Sequence, residues 1–158
     1  VEVNHLKRVN AKTLTRIGVI AALYVALCAI LAPFSFGPMQ FRVSEAMALL
    51  PVLWLEAIPG VTVGCFIANL FFGYGIIDAV VGSAATLIAA ILTYFLRKKI
   101  WAAAIPPVIV NAVIIGLMLY IMEGAPLWLT MATVGLGQTG ACFALGIPLV
   151  LTLRRVKG

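Results

Sequence analysis

The chain has 158 residues, 64% of them hydrophobic and 10% charged, and its mean hydropathy is +1.17, whereas an ordinary soluble domain carries about 25% charged residues. At about 20 residues per helical span, six spans use about 120 positions and leave no room for a separate soluble domain, so an all-α membrane protein is expected. The net charge of +6, from 11 Lys and Arg against 5 acids, accordingly points to orientation in the lipid bilayer and contact with its headgroups, and nucleic acid is not expected as a partner.

Residues 1–16 carry Lys7, Arg8, Lys12 and Arg16. The apolar run 17–32 that follows, stopped by Pro33 and Gly37, is expected as a first span. It is at the long side for the apolar region of a cleaved signal, which is about 7 to 15 residues. The second span, 43–58, carries Pro51 near its middle and ends at Pro59-Gly60; the third, 61–72, stops before Gly73-Tyr74-Gly75. A helix of about 15 residues rises only about 22 Å, so either of these two leaves a depression at one membrane surface. A fourth span, 76–96, closes on Arg97-Lys98-Lys99. The fifth, 100–121, contains Pro106-Pro107, which removes two backbone donors and predicts a kink or a break in its first half. The sixth, 127–153, precedes Arg154, Arg155 and Lys157. Residues 1–158 thus read as a single six-helix membrane domain, without the paired broken helices that often mark inverted-repeat carriers.

Six spans place the N-terminus, the loop after span four and the C-terminus on one side. Lys7, Arg8, Lys12, Arg16, Arg97, Lys98, Lys99, Arg154, Arg155 and Lys157 all fall there, so both termini are expected to be cytoplasmic. Arg42 is the exception. In this topology Arg42 and Glu45 lie at the outer end of span two, Asn69 toward the outer end of span three, Asp78 at the outer start of span four, and Tyr74 between the last two. Gln138 enters span six from the outside, about 16 Å down at helical rise, and Asn111 lies near mid-depth of span five. Charged groups at the bilayer centre cost at least about 2.5 kcal/mol each, and the inner halves of the spans carry few polar groups, such as Thr86 and Thr93. Such one-sided polarity suits a pocket that opens outward better than a pore, which wants polar contacts along its length.

Each residue also has a plainer reading. Arg42 and Glu45, three apart, could pair on one helix face; Asp78 could complement a helix N-terminus. Asn69, Asn111 and Gln138 could be interhelical hydrogen-bond glue. Trp128 and Tyr74 could be interfacial anchors, and Glu56 and Glu123 read as charges beside the span ends. Ala22 and Ala26 on span one, and Gly60 and Gly64 on span three, are small residues four apart; such faces let helices approach closely, for internal packing or for docking another subunit.

Cys28, Cys65 and Cys142 lie far apart in apolar stretches and read as core residues. His5 is the single histidine, so neither a metal site nor a Ser-His-Asp triad is expected. There is no G-x-x-x-x-G-K-[ST] phosphate loop. No enzyme activity and no cofactor are expected.

The stretches Phe41-Arg42-Val43-Ser44-Glu45-Ala46, Ile58-Pro59-Gly60, Gly64-Cys65-Phe66-Ile67-Ala68-Asn69, Asp78, Gly82-Ser83-Ala84-Ala85-Thr86-Leu87, Pro106-Pro107-Val108-Ile109-Val110-Asn111 and Gly135-Leu136-Gly137-Gln138 resemble the substrate-capture (S) components of energy-coupling factor (ECF) vitamin transporters. Within that group they resemble the QueT-type queuosine-precursor transporters. The resemblance runs through nearly the whole chain from span one. It implies an S-component-like six-helix bundle in a prokaryotic plasma membrane that binds its solute on the outer side, working with a membrane coupling subunit and two cytoplasmic ATPases. It implies a 7-deazaguanine such as preQ1, queuine or queuosine as solute, and docking of the coupling subunit on Ala22 and Ala26. Arg42, Glu45, Asn69, Tyr74, Asp78, Asn111, Trp128 and Gln138 are then the candidate substrate-binding residues: a planar base wants an aromatic or apolar slot with a few convergent polar groups. Two alternatives stand beside this reading, a self-sufficient carrier coupled to an ion gradient through Glu45 or Asp78, and a purely structural membrane subunit.

Overall fold

The computed structural model describes residues 10–35 and 41–157; His5, Lys7, Arg8 and Gly37 lie outside the described residues. These residues are helical, with no strand among them. Helix α1 is Ala11–Ile30, followed by a single turn at Ala32–Ser35; a 3₁₀ segment covers Val43–Val52. Helices α2 (Ala57–Phe72) and α3 (Ile76–Phe95) follow, then a turn at Ile100–Ala103 and α4 (Ile105–Glu123). Helix α5 (Leu127–Thr139) runs through a π segment, Gly140–Gly146, into α6 (Ile147–Lys157). Among the described residues four stretches are long and apolar enough to cross a membrane, Ala11–Ile30, Ile76–Phe95, Ile100–Glu123 and Leu127–Lys157, and Val43–Val52 and Ala57–Phe72 are shorter apolar helices.

Three boundaries differ from the sequence reading, each for a local reason. Helix α1 starts at Ala11 and not at residue 17, because Lys12 and Arg16 sit on a polar helical turn whose side chains project from the apolar part. The expected second span is a 3₁₀ helix ending at Val52. The break that follows falls at 53–56, and Pro59-Gly60 sits in the first turn of α2, where a proline forfeits only an N–H that has no intrahelical partner. The expected sixth span is interrupted by the π segment, which begins in a stretch where Gly135, Gly137 and Gly140 leave the backbone little side-chain support. The break in the fifth span lies where Pro106-Pro107 place it, at Ala104, with the prolines in the first turn of α4. Pro107 lacks the N–H that would have bonded the Ala103 carbonyl, and the Thr93 hydroxyl of α3 donates to that carbonyl instead, at 3.0 Å.

Helices α1 to α5 pack in succession, α1 on α2, α2 on α3, α3 on α4 and α4 on α5. Helices α1, α2 and α3 pack on the 3₁₀ segment, whose residues from Ser44 to Val52 are all buried, and which also packs on the π segment and α6. A helix surrounded on every face wants apolar residues all round, and apart from Ser44 and Glu45 this one has them. The α1–α2 contact is close because Gly64 faces Tyr24: a Cβ there would stand 2.7 Å from the Tyr24 Cβ. Gly60 likewise meets Ile20. These glycines serve packing inside the chain, whereas Ala22 and Ala26 are exposed on the opposite face of α1. One apolar cluster joins Ile20, Tyr24, Cys28, Met47, Leu50, Val61 and Cys65; a second joins Leu49, Ala103, Cys142, Ile147 and Val150.

The two ends of the bundle differ in charge. Arg16 meets Glu56, Arg154 reaches the Arg97 carbonyl and Lys157 the Leu53 carbonyl, so the N-terminal end of α1, the 53–56 turn, the 96–100 turn and the C-terminal end of α6 lie together. Apart from Arg42, every basic residue among the described residues is at that end or in the turns flanking it. At the opposite end Tyr74 and Glu123 are joined by a hydrogen bond, which brings the α2–α3 turn to the end of α4.

Candidate functional site

A polar cluster sits inside the apolar bundle, displaced toward the end that carries Tyr74 and Glu123. Four elements supply it: Arg42 and Glu45 come from the start of the 3₁₀ segment, Asn69 from the last turn of α2, Asp78 from the first turn of α3, and Gln138 from α5. Arg42 is 6% exposed, Glu45 2%, Gln138 4%, and Asn69 and Asp78 are fully buried. Residues of this polarity are rarely buried unless paired, and here they are.

Arg42 Nη1 donates to Asn69 Oδ1 at 2.9 Å, and Arg42 Nη2 lies 3.7 Å from Asp78 Oδ2. Asn69 Nδ2 donates to Asp78 Oδ1 and to the Asp78 backbone carbonyl, both at 3.1 Å; the Tyr74 backbone N–H donates to Asp78 Oδ2 at 3.2 Å. The sequence allows this because of two glycines. A Cβ on Gly82, one turn beyond Asp78, would collide with the Asn69 amide, and one on Gly73 would collide with the Asp78 carboxylate.

Glu45 forms the second half of the cluster. The Tyr24 hydroxyl of α1 donates to Glu45 Oε1, and Gln138 Nε2 donates to Oε2 at 2.9 Å. Both are neutral donors. Around them lie Ser44 Oγ, 3.0 Å from Cys28 Sγ, and Thr86, whose hydroxyl donates to Cys65 Sγ at 3.3 Å. The three cysteines are free and buried, as the sequence reading had them. No group of three or more His, Cys, Asp or Glu that could hold a metal ion occurs among the described residues.

Between the two halves is a cavity of about 10 Å³ bounded by Arg42, Glu45, Asn111, Ile115, Val134 and Gln138. That is room for about one water, whereas pockets for small ligands run from about 300 Å³ upward; the site is closed. Asn111 lines it, and its Nδ2 donates to the Pro107 carbonyl one turn back, at 2.9 Å.

The structure therefore brings Arg42, Glu45, Asn69, Asp78, Asn111 and Gln138 together. Tyr74 contributes its backbone N–H; the residue is 39% exposed and its hydroxyl donates to Glu123, whose carboxylate, with partial burial, pushes the Tyr74 hydroxyl pKa up to about 12. Trp128 is 72% exposed at the start of α5, apart from the cluster. Arg42 and Glu45, although three apart, engage different partners. Tyr24 was not a sequence candidate; the signal available for it was the spacing Ala21, Tyr24, Cys28, the buried face of α1, on which a hydroxyl needs a partner.

The family model described as QueT transporter matches residues 14–155. A curated relative, the queuosine precursor transporter QueT of Lactococcus lactis subsp. cremoris (strain MG1363), is 28% identical over 153 residues, covering 87% of this chain and 90% of the relative. No solved structure matches the chain.

Proposed function

The chain belongs to the QueT transporter family, a family of membrane transporters and not of enzymes, and from that membership we propose that it captures a queuosine precursor, a 7-deazaguanine such as preQ1, queuine or queuosine, as the S component of an ECF importer. The observation that carries this reading is the closed polar cluster: donors and acceptors of both kinds converge on a small cavity in an otherwise apolar bundle. A deazaguanine edge presents an amino group, ring N–H groups and a carbonyl. Glu45 suits the amino and N–H side or an aminomethyl cation, since its present donors, Tyr24 and Gln138, are neutral and exchangeable for ligand N–H groups. Arg42, Asn69, Asp78, Asn111 and Gln138 supply the remaining edge. Ligand entry then requires Gln138 or the start of the 3₁₀ segment to withdraw, because the cavity holds about one water.

We read the bundle as six spans, the two shorter helices included, with both termini cytoplasmic. The basic end of the bundle supports this through the positive-inside rule. Energy comes from partners in this reading, a membrane coupling subunit and two ATPases, since the sequence has no phosphate loop. Ala22 and Ala26, exposed on α1, are the docking stripe for the coupling subunit.

Calorimetry on the detergent-purified chain with preQ1, queuine and guanine in parallel tests the capture role. Saturable binding of a deazaguanine that weakens in Glu45→Gln is the expected result. Absence of binding to all three removes the ligand assignment, and uptake by the chain alone in liposomes, driven by a pH gradient without ATP, would replace the ECF reading by an ion-coupled carrier.

A further inference from the structure

A second cavity shares no lining residue with the polar cluster. Helices α1 and α6 flank the 3₁₀ segment without closing on each other, and a groove of about 540 Å³ runs between them, walled by Val19, Leu23, Leu27, Trp54, Leu149 and Leu153. Its walls are apolar along their length except at one end, where Thr15 and Arg16 enter the lining. Lys12 lies one turn before Arg16 on the same face of α1. Lys157 continues the row of Leu149 and Leu153 on α6, reaching the Leu53 carbonyl at 3.5 Å with its ammonium 5.7 Å from the Trp54 ring centre. Against these three cations stands one carboxylate, Glu56, at 3.2 Å from Arg16.

An apolar trough with a net positive mouth at the bundle's basic end is the complement of an amphiphile with a negative head. We propose that this groove is a site for a single anionic phospholipid, one acyl chain lying between α1 and α6 and the phosphate at Lys12, Arg16 and Lys157. The chemistry separates it from ordinary annular lipid: the acyl chain has a recess rather than a convex helix surface, and the head meets cations from two helices that are distant in sequence. Val19 and Leu23 of the groove flank the exposed Ala22 on α1, so the lipid occupies this face in the free chain and gives way where a coupling subunit docks. The groove is walled by the first and last helices, so its occupant ties together the two edges of the bundle that the chain itself leaves apart. The proposal is independent of the ligand assignment above.

The test uses Trp54 as the reporter. The full chain carrying Trp101→Phe and Trp128→Phe retains Trp54 as its one tryptophan and is reconstituted in phosphatidylcholine vesicles with increasing fractions of a lipid brominated on its acyl chains, either phosphatidylglycerol or phosphatidylcholine. Half-maximal quenching is expected at a roughly five-fold lower mole fraction of the phosphatidylglycerol. That preference should shrink in Lys12→Ala/Lys157→Ala and, without any mutation in the mouth, at high salt. Coincident curves for the two lipids overturn the proposal. So does a preference that neither salt nor the double substitution changes, and so does absence of quenching by either lipid, the outcome if protein fills the groove.

Discussion

Gln138 and Glu45 are 93 positions apart in the chain, and a buried 2.9 Å hydrogen bond joins them. It links the α5–π–α6 stretch to the start of the 3₁₀ segment, and with the Tyr24 bond on the other carboxylate oxygen it fixes Glu45 from both sides.

Replacing Glu45 by Gln keeps the shape and removes the charge. A hydrogen bond to a charged group is worth about 1.5–3 kcal/mol, so deazaguanine affinity should fall by roughly 10- to 150-fold, read by calorimetry, while the variant remains folded. Unchanged affinity would place the ligand elsewhere.

Arg42 and Asp78 should behave as a buried pair. Removing one partner of such a pair costs about 3–5 kcal/mol, whereas replacing both by apolar residues of similar size is often neutral. Arg42→Met alone and Asp78→Leu alone should therefore each destabilise the protein in detergent more than the double variant does, as measured by denaturant or thermal unfolding. Additive losses would contradict the coupling.

Gly82→Ala and Gly18→Ala form a matched test, since both positions are helical. Helix propensity alone favours Ala over Gly by about 1 kcal/mol. At Gly18 a Cβ meets nothing within 4 Å, and the substitution should be neutral or stabilising. At Gly82 the Cβ strikes the Asn69 amide; losing the Asn69–Asp78 bonds should cost about 1–3 kcal/mol and reverse the sign.

Ala22→Trp should separate capture from transport. The residue is exposed, on the face of α1 away from the buried Tyr24, so ligand binding by the isolated chain should be retained, while ATP-dependent uptake in cells should be lost. Uptake at the unsubstituted level would exclude this face from docking.

Tyr74 gives a pH signature outside the spans. Its pKa is raised to about 12, first by the hydrogen bond to Glu123 and then by burial, above the ordinary value of about 10. Because the folded pKa is the higher one, any stabilisation from this bond is fully present below about pH 10 and is lost as pH rises through about 12. Phenolate absorbance should show one tyrosine titrating late, and Glu123→Gln should bring its midpoint down.

Much of the architecture is legible in the sequence because the physics behind it is local. Composition dictates helices in a membrane, Pro106-Pro107 dictate the break ahead of α4, and the Gly60/Gly64 spacing marks a close helix contact. Arg42, Glu45, Asn69, Asp78, Asn111 and Gln138 stand out because a bilayer penalises each of them unless they meet. What the sequence did not disclose depends on tertiary packing: Tyr24 looks like one more aromatic residue until α1 is seen to bury that face. The winding of 43–52 is equally hidden, since its apolar residues suit an α-helix as well. Tyr74 and Trp128 lay in the right zone by position, yet an interfacial aromatic ring can point outward, and both do.

The winding of the central segment also sets a length. Ten residues of 3₁₀ helix, Val43–Val52, extend about 20 Å at a rise of about 2.0 Å per residue, and the same ten in α form would extend about 15 Å. Arg42 and Glu45 ride on one end of that ruler while Val52 is fixed among α6 and the 100–103 turn at the other. Rewinding it in α form would draw Arg42, ten residues from Val52, about 5 Å toward that end and Glu45, seven residues away, about 3.5 Å, each shift longer than the 2.9 Å hydrogen bonds these side chains make to Asn69 and Gln138.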